Sequence, residues 1–114
     1  MHELPIARDL LAMVEANLEP GDARIVRIFV EVGSAAAIVP ESLCFAFRIA
    51  AAGTRAQDAE LSVTTVAARS RCVDCGMEFE FEGIIGECPR CGRVGGELLS
   101  GREMILRSIE VADV

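Results

Sequence analysis

A chain of 114 residues with 52% hydrophobic content is the size of one compact domain with a small appendage. Eighteen acids against eleven Lys and Arg give a formal charge of −7, which argues against a protein that grips nucleic acid by its phosphates, because that needs a clustered basic face. No apolar run approaches the ~20 residues of a membrane span, and Glu3, Arg8 and Asp9 interrupt the start where a signal peptide needs an apolar stretch, so the expected compartment is the cytoplasm.

Pro5 is placed to begin a helix, since proline suits the first helical position and pushes the residue before it away from helical dihedrals. Ile6, Leu10, Val14 and Leu18 then recur at helical spacing, Leu11 and Met13 widen the stripe, and Glu19-Pro20-Gly21-Asp22 ends it. His2 and Glu3 are therefore expected ahead of the helix, on irregular backbone. Over residues 24–32 the period changes to two, with Val26, Ile28, Val30 and Val32 on one face and Ile25, Arg27, Phe29 and Glu31 on the other, which predicts a strand. Pro40-Glu41-Ser42 starts a second helix with Leu43, Ala46, Phe47 and Ala50 along one side, and Gly53 is placed to stop it. The β-branched run LSVTTVA predicts a second strand, and EMILRSIEVADV a third that rejoins the first sheet. The expected class is α+β: a small three-stranded sheet with two helices, carrying an inserted rubredoxin-like or zinc-ribbon domain with four cysteine ligands. The boundaries read as residues 1–69 and 96–114 for the α/β domain and 70–95 for the insertion.

The insertion carries the clearest chemistry. CVDCG and CPRCG give C-x2-C-x12-C-x2-C through Cys72, Cys75, Cys88 and Cys91. Two residues between cysteines let both thiolates of a tight turn face one metal, and the glycines at 76 and 92 permit the positive φ that brings backbone amides toward the sulfurs. Two such turns joined by a hairpin supply four thiolates in a tetrahedron, the preference of structural zinc, with no open position for catalysis. In MEFEFEG, Met77, Phe79 and Phe81 alternate with Glu78, Glu80 and Glu82, so one hairpin strand should lay an apolar face on the turns. A redox dithiol fits less well, since that chemistry uses one C-x-x-C at a helix start. The fifth cysteine, Cys44, reads as a small hydrophobe on the second helix.

His2 is the sole histidine. A solvated terminal side chain is the bland reading. The chemical one is that a free α-amine, the next amide nitrogen and the imidazole bind one cation through small chelate rings, a nitrogen-rich set that favours Ni(II) or Cu(II), with Glu3 as an oxygen donor.

MHEL at the start, PESLCFAF near position 40 and the paired CVDCG and CPRCG resemble the HypA/HybF family of hydrogenase nickel-insertion proteins, nearly end to end. The resemblance implies a nickel metallochaperone with a nickel-binding α/β domain, a transferable Ni(2+) held by Met1, His2 and Glu3, and a structural Zn(2+) on Cys72, Cys75, Cys88 and Cys91. It also implies a HypB-type GTPase partner, delivery to the NiFe-hydrogenase large subunit, service to urease in some relatives, and both monomers and homodimers. Glu41 is the candidate accessory nickel ligand that some relatives place near the second helix. Pro5 stands where relatives have a small hydroxyl residue, which removes a backbone donor without touching the ligands.

The alternative reading is a zinc-ribbon interaction or nucleic-acid-binding module without nickel transfer. It would want basic residues around the knuckles, and MEFEFEGIIGE is acidic, with Arg71, Arg90 and Arg93 nearby. An enzyme is not expected: no Ser/His/Asp set, phosphate loop or open metal site is present in the sequence.

Overall fold

Glu3 opens the first helix. In the computed structural model, which describes residues 3–21 and 24–112, α1 runs Glu3–Ala16, so Glu3 lies in its first turn and not ahead of it as the Pro5 signal predicts. The first four N–H groups of a helix have no intrahelical acceptor, so a proline is accepted anywhere in that turn. The extended preference of Leu4 before Pro5 is overridden. Met1 and His2 lie outside the described residues. The helix also stops earlier than expected: the Asn17 N–H bonds the Val14 carbonyl at 3.0 Å and the Asn17 amide side chain donates to the Met13 carbonyl at 2.7 Å. These bonds satisfy last-turn carbonyls that would otherwise be orphaned.

The remaining elements are β1 (Ile25–Gly33), a 3-10 turn at Ser34–Ala36, α2 (Pro40–Ala50), β2 (Glu60–Val66), β3 (Ala68–Arg71), β4 (Glu78–Phe81), β5 (Glu97–Ser100) and β6 (Met104–Val111). They form two three-stranded sheets, ordered β2-β1-β6 and β4-β3-β5. The expected sheet with two helices is present, the last strand returns beside β1, and the cysteine region is inserted between β2 and β6. The chain divides into two compact units, one of Met1–Val30, Ile38–Thr64 and Ile105–Val114, the other of Glu31–Ala37 and Thr65–Met104.

In the first unit α1 packs on α2; Ala7, Leu10 and Val14 of α1, Leu43, Ala46 and Phe47 of α2, and Ile28 and Val30 of β1 are all buried. The period of two fails at the start of β1, where Ile25 is buried and Val26 exposed and the Ile25 N–H bonds the Arg55 carbonyl at 2.9 Å. Arg55 itself reaches the Glu19 carbonyl and the Glu15 carboxylate, each at 3.2 Å, and so anchors the turn after α2 to the end of α1. Across the strands, Arg27 stands between Glu60 at 3.1 Å and Glu110 at 3.8 Å.

The second unit contains strands that periodicity alone does not reveal. Four-residue β3 is the centre of its sheet, antiparallel to both neighbours, with Ser70 opposite Phe79 on one side and Leu98 on the other. Its two faces are unlike. Ala68, Ser70 and Phe79 are buried, whereas Arg69 and Arg71 face outward among glutamates. Arg71 bonds Glu78 at 3.0 Å and Glu97 at 2.9 Å, and Arg69 lies 3.4 Å from Glu80. Opposite charges directly across strands are favourable, and like charges are not.

The Arg71 guanidinium, followed by Arg69, holds the Glu78 carboxyl below its ordinary value. A depressed carboxylate pKa stabilises the fold above the unfolded-state value of about 4.3, and that stability is lost as pH falls through the folded-state value. Glu78→Gln is therefore expected to flatten the acid limb of the stability–pH curve below about pH 4.5 while changing neutral stability little, because every group in the ladder is half-exposed. Thermal melts from pH 3 to 7 on both proteins check this.

Candidate metal centre

Each C-x-x-C segment folds into the same turn. In the first, the Gly76 N–H bonds the Cys72 carbonyl and the Cys72 N–H bonds the Met77 carbonyl, both at 2.9 Å; in the second, the Gly92 N–H bonds the Cys88 carbonyl and the Cys88 N–H bonds the Arg93 carbonyl, again both at 2.9 Å. Gly76 and Gly92 adopt φ of 76° and 79°, the left-handed geometry that glycine enters without a Cβ penalty. The two turns are thus equivalent cradles built from local sequence.

The long-range fold brings them together. All four Sγ atoms lie within 4.8 Å of one another, with Cys72 and Cys91 at 3.5 Å and Cys75 and Cys88 at 3.6 Å. A tetrahedron with metal–sulfur bonds of about 2.3 Å has edges of about 3.8 Å, so four thiolates fit one ion with only a small adjustment. Cys72 and Cys88 are 2% and 1% exposed and pack with Phe79, while Cys75, Met77 and Phe81 surround that cluster. The apolar side of MEFEF therefore does lie on the knuckles.

The thiols are not equivalent. The Cys91 backbone N–H, aided by that of Arg90, works against desolvation and lowers Cys88 to about 6. N–H groups of Cys75 and Asp74 likewise lower Cys72. Cys91 receives the Arg93 N–H, yet the Cys72 thiol and desolvation outweigh it and push Cys91 up to about 12. Backbone donors aimed at sulfur favour the thiolate, the form that ligates a metal.

One contact was not foreseen from the sequence. Arg93 reaches the Asp74 carboxylate at 3.1 Å, tying the turn of one knuckle to the residue after the other. The available signal was one acid inside CVDC and one base after CPRCG. With Arg71 held by Glu78 and Glu97, two of the three arginines near the knuckles are neutralised by acids, so the nucleic-acid alternative is not favoured. Cys44 is half-buried on α2 and its thiol lies 3.5 Å from the Leu61 carbonyl; desolvation raises its pKa although Arg48 opposes this, which is the behaviour of a small packed hydrophobe. Glu3 and Glu41 each occupy the first turn of one of the two packed helices, where a carboxylate also complements the helix dipole.

Residues 1–111 match the family described as "Hydrogenase/urease nickel incorporation, metallochaperone, hypA". The chain belongs to the HypA family. It is 39% identical over 114 residues to the hydrogenase maturation factor HypA of Chlorobium limicola, covering 99% of this chain and 98% of that protein. To the HypA of Aquifex aeolicus it is 33% identical over 112 residues, covering 97% of each. The solution structure of the Ni metallochaperone HypA from Helicobacter pylori aligns with a TM-score of 0.66 and 27% identity over 97% of both chains. The HypA-family fold accounts for both the two-helix sheet and the four-cysteine insertion, and the family is one of nickel metallochaperones for hydrogenase maturation. No helix among the described residues is long and apolar enough to cross a membrane.

Proposed function

We propose that this HypA-family chain carries Ni(II) on Met1, His2 and Glu3 while Cys72, Cys75, Cys88 and Cys91 hold a structural Zn(II). The observation that carries this reading is the nickel-incorporation family match spanning residues 1–111. The α-amine of Met1, the His2 amide nitrogen and the His2 imidazole form fused chelate rings that suit nickel, and Glu3, at the first turn of α1, adds a carboxylate. Such a site is open on one side, so cargo can pass to a partner. The four thiolates, by contrast, fill a tetrahedron and leave no position for exchange or catalysis. The chain acts as a cytoplasmic carrier and not an enzyme, receiving and releasing nickel with a HypB-type GTPase and the NiFe-hydrogenase large subunit. Glu41, in the first turn of α2, is the accessory donor in this reading.

Protons compete with nickel for the amine and imidazole, so affinity falls as pH drops. Calorimetric nickel titration tests the assignment, using zinc-loaded protein with its Met1 start, the His2→Ala variant and a form extended by two residues ahead of Met1. About one Ni(II) per chain with micromolar affinity, lost in both altered forms with zinc content unchanged, supports the site. Equal binding by all three proteins removes Met1 and His2 from it.

A further inference from the structure

The second unit forms a small recess to which none of the four knuckle cysteines contributes. Its volume is about 130 Å³, and Phe81, Ile84, Ile85 and Leu98 wall it, with Ser70 and Arg102 also on its lining. An apolar cavity of about 150 Å³ holds one benzene, so this recess takes a single branched aliphatic or aryl group. Ile84 and Ile85 are 62% and 65% exposed. The Gly95 N–H fixes the end of their loop by bonding the Gly86 carbonyl at 2.8 Å. Single exposed apolar residues are unremarkable, but two held beside a recess of this size are surface that an occupant would cover.

Two polar side chains give this apolar recess its chemistry. Ser70 is 4% exposed and is the one buried polar residue among the described residues. Its hydroxyl has no hydrogen-bond partner among them. Every fully covered side-chain oxygen and nitrogen of the described residues does have a partner, so the Ser70 oxygen keeps a little surface, and the recess is what it lines. The pairing of β3 with β5 slips at this point: Arg69 opposes Ser100 but Ser70 opposes Leu98, which leaves Leu99 over. Bulges re-aim a side chain and recur beside binding sites. A buried hydroxyl without a partner is costly, and a ligand oxygen would satisfy it. Arg102 is exposed and has no hydrogen-bond or ion-pair partner among the described residues.

We propose that this recess binds a small monocarboxylate with a branched aliphatic or aryl body. The body lies against Phe81, Ile84, Ile85 and Leu98, and the carboxylate accepts from Arg102 and the Ser70 hydroxyl. A guanidinium fork matches a carboxylate in both charge and shape. One carboxylate is the limit, because Glu82, Glu87, Glu97 and Glu103 are exposed and each is the chain neighbour of a lining residue. Their field repels a second carboxylate and disfavours an acidic macromolecule. One apolar group and one charge give a Kd of about 1 mM. This inference does not rest on the nickel assignment, and its test contains no nickel.

Isovalerate is the probe, titrated to about 20 mM into isotope-labelled, zinc-loaded full chain while amide shifts are followed. Amides of Ile84, Ile85, Gly95 and Leu98 should shift saturably, and those of α1 and α2 should not. Three relatives of the probe should each bind at least tenfold more weakly. Acetate lacks the body, isovaleramide lacks the charge, and methylglutarate adds a second carboxylate. Arg102→Gln should weaken isovalerate at least tenfold, and Ser70→Ala about threefold, with native amide dispersion showing that both variants are folded. Arg102 is on the surface, so its substitution keeps the test decisive even if Ser70→Ala destabilises β3. Absence of a saturable shift overturns the proposal, as does equal binding of isovaleramide or unchanged binding by Arg102→Gln. A leucine-terminated peptide that binds where isovalerate does not overturns it in favour of a protein partner.

Discussion

Replacing Cys88 with serine is expected to unfold the unit of Glu31–Ala37 and Thr65–Met104 while leaving α1 and α2 folded. The apolar cluster at the knuckles contains Cys72, Phe79 and Cys88, with Cys75, Met77 and Phe81 partly buried beside them; three of these six are candidate metal ligands. A unit of this size is rarely stable on such a core without a staple. Apparent binding free energies for structural zinc reach about 10–16 kcal/mol and appear as folding free energy, so losing one ligand removes more than the unit has to spare. Cys88 is the best choice because it is buried and is the thiol most readily deprotonated, at about 6. The chain has no Trp or Tyr, so the readout is amide dispersion: resonances of β3, β4 and β5 should collapse while helical far-UV signal persists. Chelation of the native protein should reproduce this. Retention of native dispersion after quantitative metal removal would show that side-chain packing alone holds the unit.

Gly101→Ala is expected to destabilise the same unit by about 3 kcal/mol or more. Gly101 has φ of 125°, which residues with a Cβ avoid. A Cβ there would overlap the Cα and Cβ of Ala68, and one on Gly33 would overlap the carbonyl of Gly101. Two of the three backbones are pinned to each other at this crossing, because the Gly33 N–H bonds the Glu103 carbonyl and the Ala35 N–H bonds the Gly101 carbonyl, both at 2.9 Å, and Ala68 is held in β3 opposite Phe81. Relief would need main chain to move. Melting should fall by roughly 10–20 °C at this chain length, with Gly33→Ala comparable. Gly21, with nothing within 4 Å of its would-be Cβ, is the control, and Gly21→Ala should melt near the native temperature. A melting temperature for Gly101→Ala within a few degrees of native would mean the crossing is looser than its geometry.

Both effects contrast with what substitution on the Arg69 and Arg71 ladder should do. Those side chains are 42% and 45% exposed, so solvent screens them, and the consequence of losing one partner is a changed pH profile, not unfolding.

The amino-acid order alone determined the features that depend on neighbours a few residues apart. Helical stripes at Leu10–Val14 and Leu43–Phe47, the alternation through Ile28, Val30 and Val32, and the four thiolates with their following glycines all follow from geometry within one or two turns of chain. The candidate metal set was legible for the same reason: two residues between cysteines suffice to bring a pair of sulfurs to one ion, whatever the rest of the chain does. Tertiary structure decided what depends on distant segments meeting. Arg71 and Glu97 are 26 positions apart, and four-residue β3 and β5 are too short to carry a period of their own; they exist because β3 has partners on both sides. The Gly33–Gly101–Ala68 crossing and the recess at Ser70 are likewise products of packing, since no local pattern says which backbone will pass within contact of another or which side chains will leave a gap between them. Even Glu3, placed ahead of the helix by the proline rule, joined it once the first turn could form without the missing N–H. A local preference worth a fraction of a hydrogen bond yields whenever the packed helix behind it supplies more.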